Sequence, residues 1–109
     1  MGSVVFSIER NYVEFELLRK NGEAVQLRWY EPSVKVMSAL GEAAADMSKM
    51  LPAIKSALEE SLEPVNGNKK LKEELIAELL DNMGALELFE MINQLTNLIQ
   101  ETRQKKPNG

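Results

Sequence analysis

At 109 residues and 12.3 kDa, the chain has room for one domain and not for two. Thirteen Lys and Arg against 17 Asp and Glu give a formal charge of -4 and a pI near 4.9, which repels nucleic-acid phosphates and anionic lipid, so neither a nucleic-acid nor a membrane partner is expected. Histidine and cysteine are both absent, which excludes disulfide staples, imidazole or thiolate metal sites, Ser/His and Cys/His nucleophile pairs and any histidine pH switch.

The opening residues, Met1 to Ser7, lack a basic start followed by an apolar run, so no secretory signal is expected, and Phe6 stands where a myristoylation motif wants Ser or Thr. Each helical segment is interrupted by Glu, Lys or Asp before reaching the roughly 18 apolar residues of a membrane span. The expectation is a soluble, cytoplasmic protein.

From Tyr12 to Tyr30 apolar residues alternate, with Val13, Phe15 and Leu17 before Lys20-Asn21-Gly22 and Val25, Leu27 and Trp29 after it, the signature of a β-hairpin. A two-residue Asn-Gly loop would oppose Phe15 to Arg28 and scatter the apolar residues over both faces. A three-residue loop, with Gly22 in the left-handed position of a bulge, instead pairs Leu17 with Val25, Phe15 with Leu27 and Val13 with Trp29. The same register sets Arg19 opposite Glu23 and Glu14 opposite Arg28 on the polar face. Val4, Phe6 and Ile8 alternate as well and are expected to make this a three-stranded meander over residues 4–30. So small a sheet must lay its apolar face on helices, which makes Trp29 and Phe15 core residues.

Pro32 ends the sheet and Ser33 caps a helical segment over residues 33–62. Val36 or Met37, Leu40, Ala44, Met47 and Leu51 form its expected apolar stripe, continued by Ile54, Ala57, Leu58 and Leu62. Gly41 and the alanines at 43 to 45 thin the helix enough for another backbone to approach closely. Pro52 either kinks the segment or opens a second helix in its first turn. After a loop at Val65 to Asn68, Asn68 caps a helix over 68–83 whose apolar face is Leu71, Leu75, Ile76, Leu79, Leu80 and Met83, with Lys69–Glu73 and Lys70–Glu74 as i,i+4 pairs. Asn82, Met83 and Gly84 form a cap or bend.

The last helix spans 85–103, and 104–109 is expected to be a flexible tail. Leu88, Ile92, Leu95 and Ile99 supply one ordinary core stripe, while Leu86, Phe89 and Met91 fall off it. The apolar arc is wider than one buried face. Leu86, Phe89, Met91, Ile92, Leu95, Leu98 and Ile99 are therefore the candidate protein-interaction residues, open either to self-association or to a helical partner, the alternative being a central helix buried on two sides.

Catalytic chemistry finds no support. Glu14 and Glu16 share a strand face about 7 Å apart, but nothing implies a pocket that would separate their pKa values. Glu59, Glu60 and Glu63 lack the spacing of a calcium loop, and no glycine-rich phosphate loop exists. No enzyme activity, cofactor or metal is expected, and the fold class is α+β, a hairpin or meander packed on three to four helices.

The order of an N-terminal strand pair, VEFELLRKNGEAVQLRWYEPSVK, and an acidic, leucine-rich helical region ending in ELFEMINQLTNLIQE resembles the small tail assembly chaperones of long-tailed bacteriophages. The resemblance implies a self-associating chaperone that keeps the tape-measure protein soluble while tail-tube subunits polymerise, and that is absent from the mature virion. The better-known members are mostly helical, so a hairpin sets this chain apart from them. Two other classes fit the same layout: a secretion-type effector chaperone and a small structural subunit of a phage particle.

Overall fold

The computed structural model describes residues 10–104. Its order is β1 (Tyr12–Leu18), β2 (Ala24–Tyr30), α1 (Val34–Ala45), a 3-10 turn (Met47–Lys49), α2 (Met50–Ser61), β3 (Leu62–Pro64), α3 (Lys69–Asn82) and α4 (Ala85–Gln104), an α+β fold. The hairpin register is the one expected, with Leu17 opposite Val25, Phe15 opposite Leu27, Val13 opposite Trp29 and Glu14 opposite Arg28. Gly22 adopts φ 90°, a region in which side chains with a Cβ are disfavoured. Arg19 N donates to Glu23 O at 2.8 Å, closing a loop of Lys20, Asn21 and Gly22.

The third strand of the antiparallel sheet is β3, which follows α2 directly and pairs with β2, Trp29 opposite Leu62 and Leu27 opposite Pro64. Leu62 thus leaves the helical stripe expected for it and caps α2 instead. Pro64 is tolerated because it ends an edge strand, where the missing N–H removes no ladder bond. The expected strand at Val4, Phe6 and Ile8 lies outside the described residues.

Helices cover one sheet face. Val25, Leu27, Trp29 and Leu62 are buried against α2 and α4, while the facing residues of the edge strand β1, Val13, Phe15 and Leu17, are half-buried on the rim of the same core. Inside it, Trp29 Nε1 donates to Thr96 Oγ1 at 3.1 Å and the Thr96 hydroxyl donates to Ile92 O at 2.8 Å. Among the described residues no buried side-chain nitrogen or oxygen lacks a partner, as a stable interior requires.

The segment over 33–62, expected either to kink at Pro52 or to open a second helix there, is two helices, and the break itself falls at Asp46, a few residues before Pro52. Asp46 Oδ1 accepts from Ser48 N (3.0 Å) and Ser48 Oγ (2.7 Å), so its side chain replaces the helical bonds it interrupts. Pro52 stands in the first turn of α2, where its absent N–H would have had no intrahelical acceptor. The break resets the helical phase. Met50, Ala53, Ile54, Ala57 and Leu58 turn inward, and Ala44, Met47 and Leu51, expected on the buried stripe, are exposed. Ala43 takes the buried position beside Val36 and Leu40.

Both expected caps form: Ser33 Oγ accepts from Val36 N at 3.3 Å, and Asn68 Oδ1 accepts from Leu71 N at 3.1 Å. Glu60 ties α2 back to the start of α1 by accepting from Ser33 N at 2.9 Å. Burial opposes charge on Glu60, yet the hydrogen bonds from Ser33 and the charge of Arg10 outweigh it and hold the carboxyl below the ordinary glutamate range.

Candidate interaction surface

The seven candidates on α4 do not form one patch. Each helical residue advances about 100°, so Ile92, Leu95 and Ile99 share an arc with Leu88, and all four are buried inside the protomer. Met91 and Leu98 lie together on one flank of that arc, Phe89 on the other, and Leu86 nearly opposite. Burial follows the same division: Phe89 and Met91 are half-buried against the core, while Leu86 is 58% and Leu98 41% exposed. The chain itself therefore uses most of the wide apolar arc, and the large apolar surface left on α4 is Leu86 and, apart from it, Leu98 set among Glu90, Asn93, Gln94, Asn97 and Glu101.

A larger concavity, missed by helical periodicity, lies between the C-terminal end of α2, β3 and α3. It encloses about 520 Å³, with Ile76, Ala77 and Leu80 as an apolar floor and Glu59, Glu63, Lys69, Lys72 and Glu73 at its rim. Lys72 is fixed there: its ammonium donates to Glu63 Oε1 at 2.6 Å and to Glu59 O at 2.7 Å. Two of the expected face residues, Leu75 and Leu79, face the core, which leaves Ile76 and Leu80 half-buried at the groove. The expected pairs Lys69–Glu73 and Lys70–Glu74 are not among the ion pairs of the described residues, where the charge of α3 is instead engaged across elements. The signal available in the sequence was the adjacency of Leu75 with Ile76 and of Leu79 with Leu80, which makes the apolar arc of α3 wider than one contact can cover.

A second junction fastens the hairpin tip to α3. Arg19 Nε and Nη2 both donate to Glu78 Oε2 (3.2 and 2.9 Å), Lys20 N donates to Glu78 Oε1 (3.0 Å), and Lys20 Nζ reaches Asn82 Oδ1 (3.2 Å). The hydrogen bond from Arg19, then that from Lys20 N, hold the Glu78 carboxyl below the ordinary glutamate range, and the same contact raises Arg19. These groups lock two elements, and the charges of Arg19 and Glu78 are spent on each other.

On the open face of the sheet Arg10, Tyr30, Tyr12 and Arg28 form a row, the two rings side by side between two guanidinium groups. Arg10 sits 5.7 Å from the Tyr30 centroid, the two rings are 5.2 Å apart, and Arg28 sits 4.6 Å from the Tyr12 centroid. Aromatic and cationic groups so arranged can receive an anionic or stacked ligand, but here Glu14 pairs with Arg28 at 3.1 Å and Glu16 accepts from Gln26 at 2.8 Å. Glu14 thus neutralises the Arg28 end of the strip, while Arg10 is held at the other end by Glu31 O and Ser61 Oγ. Glu14 and Glu16 each have their own partner and share no pocket. Trp29, fully buried, offers no ring to a ligand.

Among the described residues no three His, Cys, Asp or Glu side chains are grouped to hold a metal ion, and no helix is long and apolar enough to cross a membrane. No known protein family, curated protein or solved structure matches the chain.

Proposed function

We propose that this chain is a non-enzymatic tail assembly chaperone that binds the tape-measure protein, or a closely similar helical client, and self-associates through apolar helix surface. The observation that carries the reading is a core already closed, with its buried polar side-chain atoms partnered, beside large apolar side chains left outside it on three of the four helices: Val34 and Met37, Leu51, and Leu86 and Leu98. The groove over Ile76 and Leu80 supports it further, since an apolar floor with a rim of both charge signs suits the amphipathic helix of a client. An acidic exterior keeps such a complex dispersed.

The test is coexpression with a tape-measure protein encoded beside this chain. A soluble complex is expected, weakened by Ile76→Asp or Leu80→Asp in the groove. Phe89 packs against the core, so Leu86→Asp and Leu98→Asp are the cleaner probes of α4. A client equally insoluble with and without the chain would end the reading, and recovery of the chain in finished particles would replace it with that of a structural subunit.

A further inference from the structure

Helix α1 is buried on one side only. Val36, Leu40 and Ala43 face the core, whereas Val34, Met37, Gly41 and Ala44 run along the opposite side at spacings of three, four and three, flanked by Ser38 and Ala45, and all six are exposed. Val34 is 88% exposed, more than any other large apolar residue of the described chain. Gly41 stands in the middle of this face, where glycine is the poorest helix former after proline. A Cβ built on Gly41 meets no atom within 4 Å. Nothing in the protomer's own packing calls for a glycine there.

We propose that α1 is where two copies of this chain associate, packed antiparallel about a two-fold axis passing between residues 39 and 40. Two independent features select that arrangement. The first is size: with residue numbers that meet summing to about 79, Val34 lies against the partner's Ala45, and Met37 and Ser38 against the partner's Gly41, so each large side chain faces a small one. The glycine becomes the hole that lets two backbones approach at the short end of the usual interaxial range. The second is charge. Lys35 and Glu42, two helical turns apart on one flank, are brought beside each other across the axis, and symmetry makes the contact twice. Lys35 has no carboxylate within ion-pair distance among the described residues, and the pair of Glu42 with Lys49 is long, at 3.8 Å, and solvent-exposed. A parallel pairing sets Gly41 on Gly41 and Val34 on Val34 and places neither charge beside its opposite.

Met47 and Leu51, exposed just past the end of α1, extend the apolar surface towards the partner's Val34. A helix of 12 residues is about 18 Å long, so the area covered is below that of a standard stable interface and the dimer is expected to be weak and concentration-dependent. This inference deepens the self-association in the proposed function and needs no client.

Sedimentation velocity across a concentration series tests it. The wild-type chain is expected to shift from monomer to dimer. Gly41→Gln should remain monomeric at every concentration, yet melt at the same or a higher temperature, because the protomer has open space there and a better helix former replaces glycine. Lys35→Glu and Glu42→Lys should each weaken dimerisation about tenfold, the contact being made twice, and the double exchange should restore it. Direction is read by cross-linking in this cysteine-free background. Ser38→Cys sits three residues from its symmetry mate and should join through a short bis-maleimide, whereas Val34→Cys, displaced from its mate by about 16 Å along the axis, should not. A wild-type chain monomeric throughout, a dimer untouched by Gly41→Gln, or one broken only by Leu86→Asp or Leu98→Asp overturns the inference. Client solubilisation in the coexpression assay is scored separately, so either idea can fail while the other stands.

Discussion

Replacing Thr96 by Val tests the hydrogen bond that Trp29 makes inside the core. Trp29 is fully buried, and its Nε1–H has Thr96 Oγ1 as partner at 3.1 Å. Valine fills nearly the volume of threonine and is an equally modest helix former, so neither cavity nor propensity contributes much. What changes is that the indole N–H loses its acceptor where no water reaches it, a cost of about 1–3 kcal/mol. The methyl that replaces the hydroxyl returns at most about 0.8 kcal/mol. A net loss of about 1–2 kcal/mol is expected, or roughly 5–10 °C in midpoint for a domain of this size. Urea and thermal unfolding followed by far-ultraviolet circular dichroism measure it, and Trp29, the single tryptophan, reports core opening independently by fluorescence. A double-mutant cycle with Trp29→Phe separates the indole hydrogen bond from the rest of the substitution. That change costs more on its own, through the cavity it leaves, but in its background Thr96→Val has no indole to orphan and should be almost neutral. An equal effect of Thr96→Val in both backgrounds, or a change under about 0.5 kcal/mol in the wild type, would refute this account of the hydrogen bond.

Other expectations are as direct. Ile92→Ala should destabilise by about 2–5 kcal/mol, because Ile92 is fully buried, whereas Leu86→Asp should leave the urea midpoint nearly unchanged; equal losses would mean that α4 is not divided as described. Asn68→Ala removes the acceptor for Leu71 N and should lower stability by about 1 kcal/mol, read in the same titration, whereas Asn68→Asp should preserve it. The carboxyls of Glu78, Asp46 and Glu60 all sit below their ordinary values. Each therefore contributes stability that is present above its unfolded pKa, near 4, and is lost as pH falls through its lower folded value. The urea midpoint should decline across that acid window, and Glu78→Gln should make the decline shallower. An unchanged slope would show that Arg19 and Lys20 do not act on Glu78 in solution.

Sequence pattern and structure agree unevenly along the chain. The hairpin was legible to the residue because a strand has a period of two: one wrong step puts Phe15 opposite Arg28, and only the three-residue loop satisfies the apolar and charged rows together. The core stripe of α4 was legible for a similar reason, since Leu88, Ile92, Leu95 and Ile99 repeat at helical spacing with few rivals. Between them the pattern was ambiguous. Residues 36 to 58 contain apolar or small side chains on almost every side, so a stripe through Met47 and Leu51 reads as well as one through Met50 and Ile54. The choice depended on Asp46, whose bonds to Ser48 end α1 and reset the phase of α2. Asp-Met-Ser inside a helical run is itself a capping signal, weaker to the eye than Pro52.

Strand alternation, the caps at Ser33 and Asn68 and the freedom of Gly22 are properties of neighbouring residues, and the sequence by itself determined them. Contacts between residues far apart in the chain were decided only by the tertiary structure. Three residues such as Leu62-Glu63-Pro64 carry no strand signal until β2 offers a backbone to pair with. Glu78 is one more helical carboxylate until the hairpin tip brings Arg19 to it, 59 residues away. Whether Phe89 or Leu86 faces water depends on which neighbours lie beside α4. Periodicity shows that a helix has more apolar surface than one contact needs, but burial is a property of the assembled elements, and only their packing determines which part is left over.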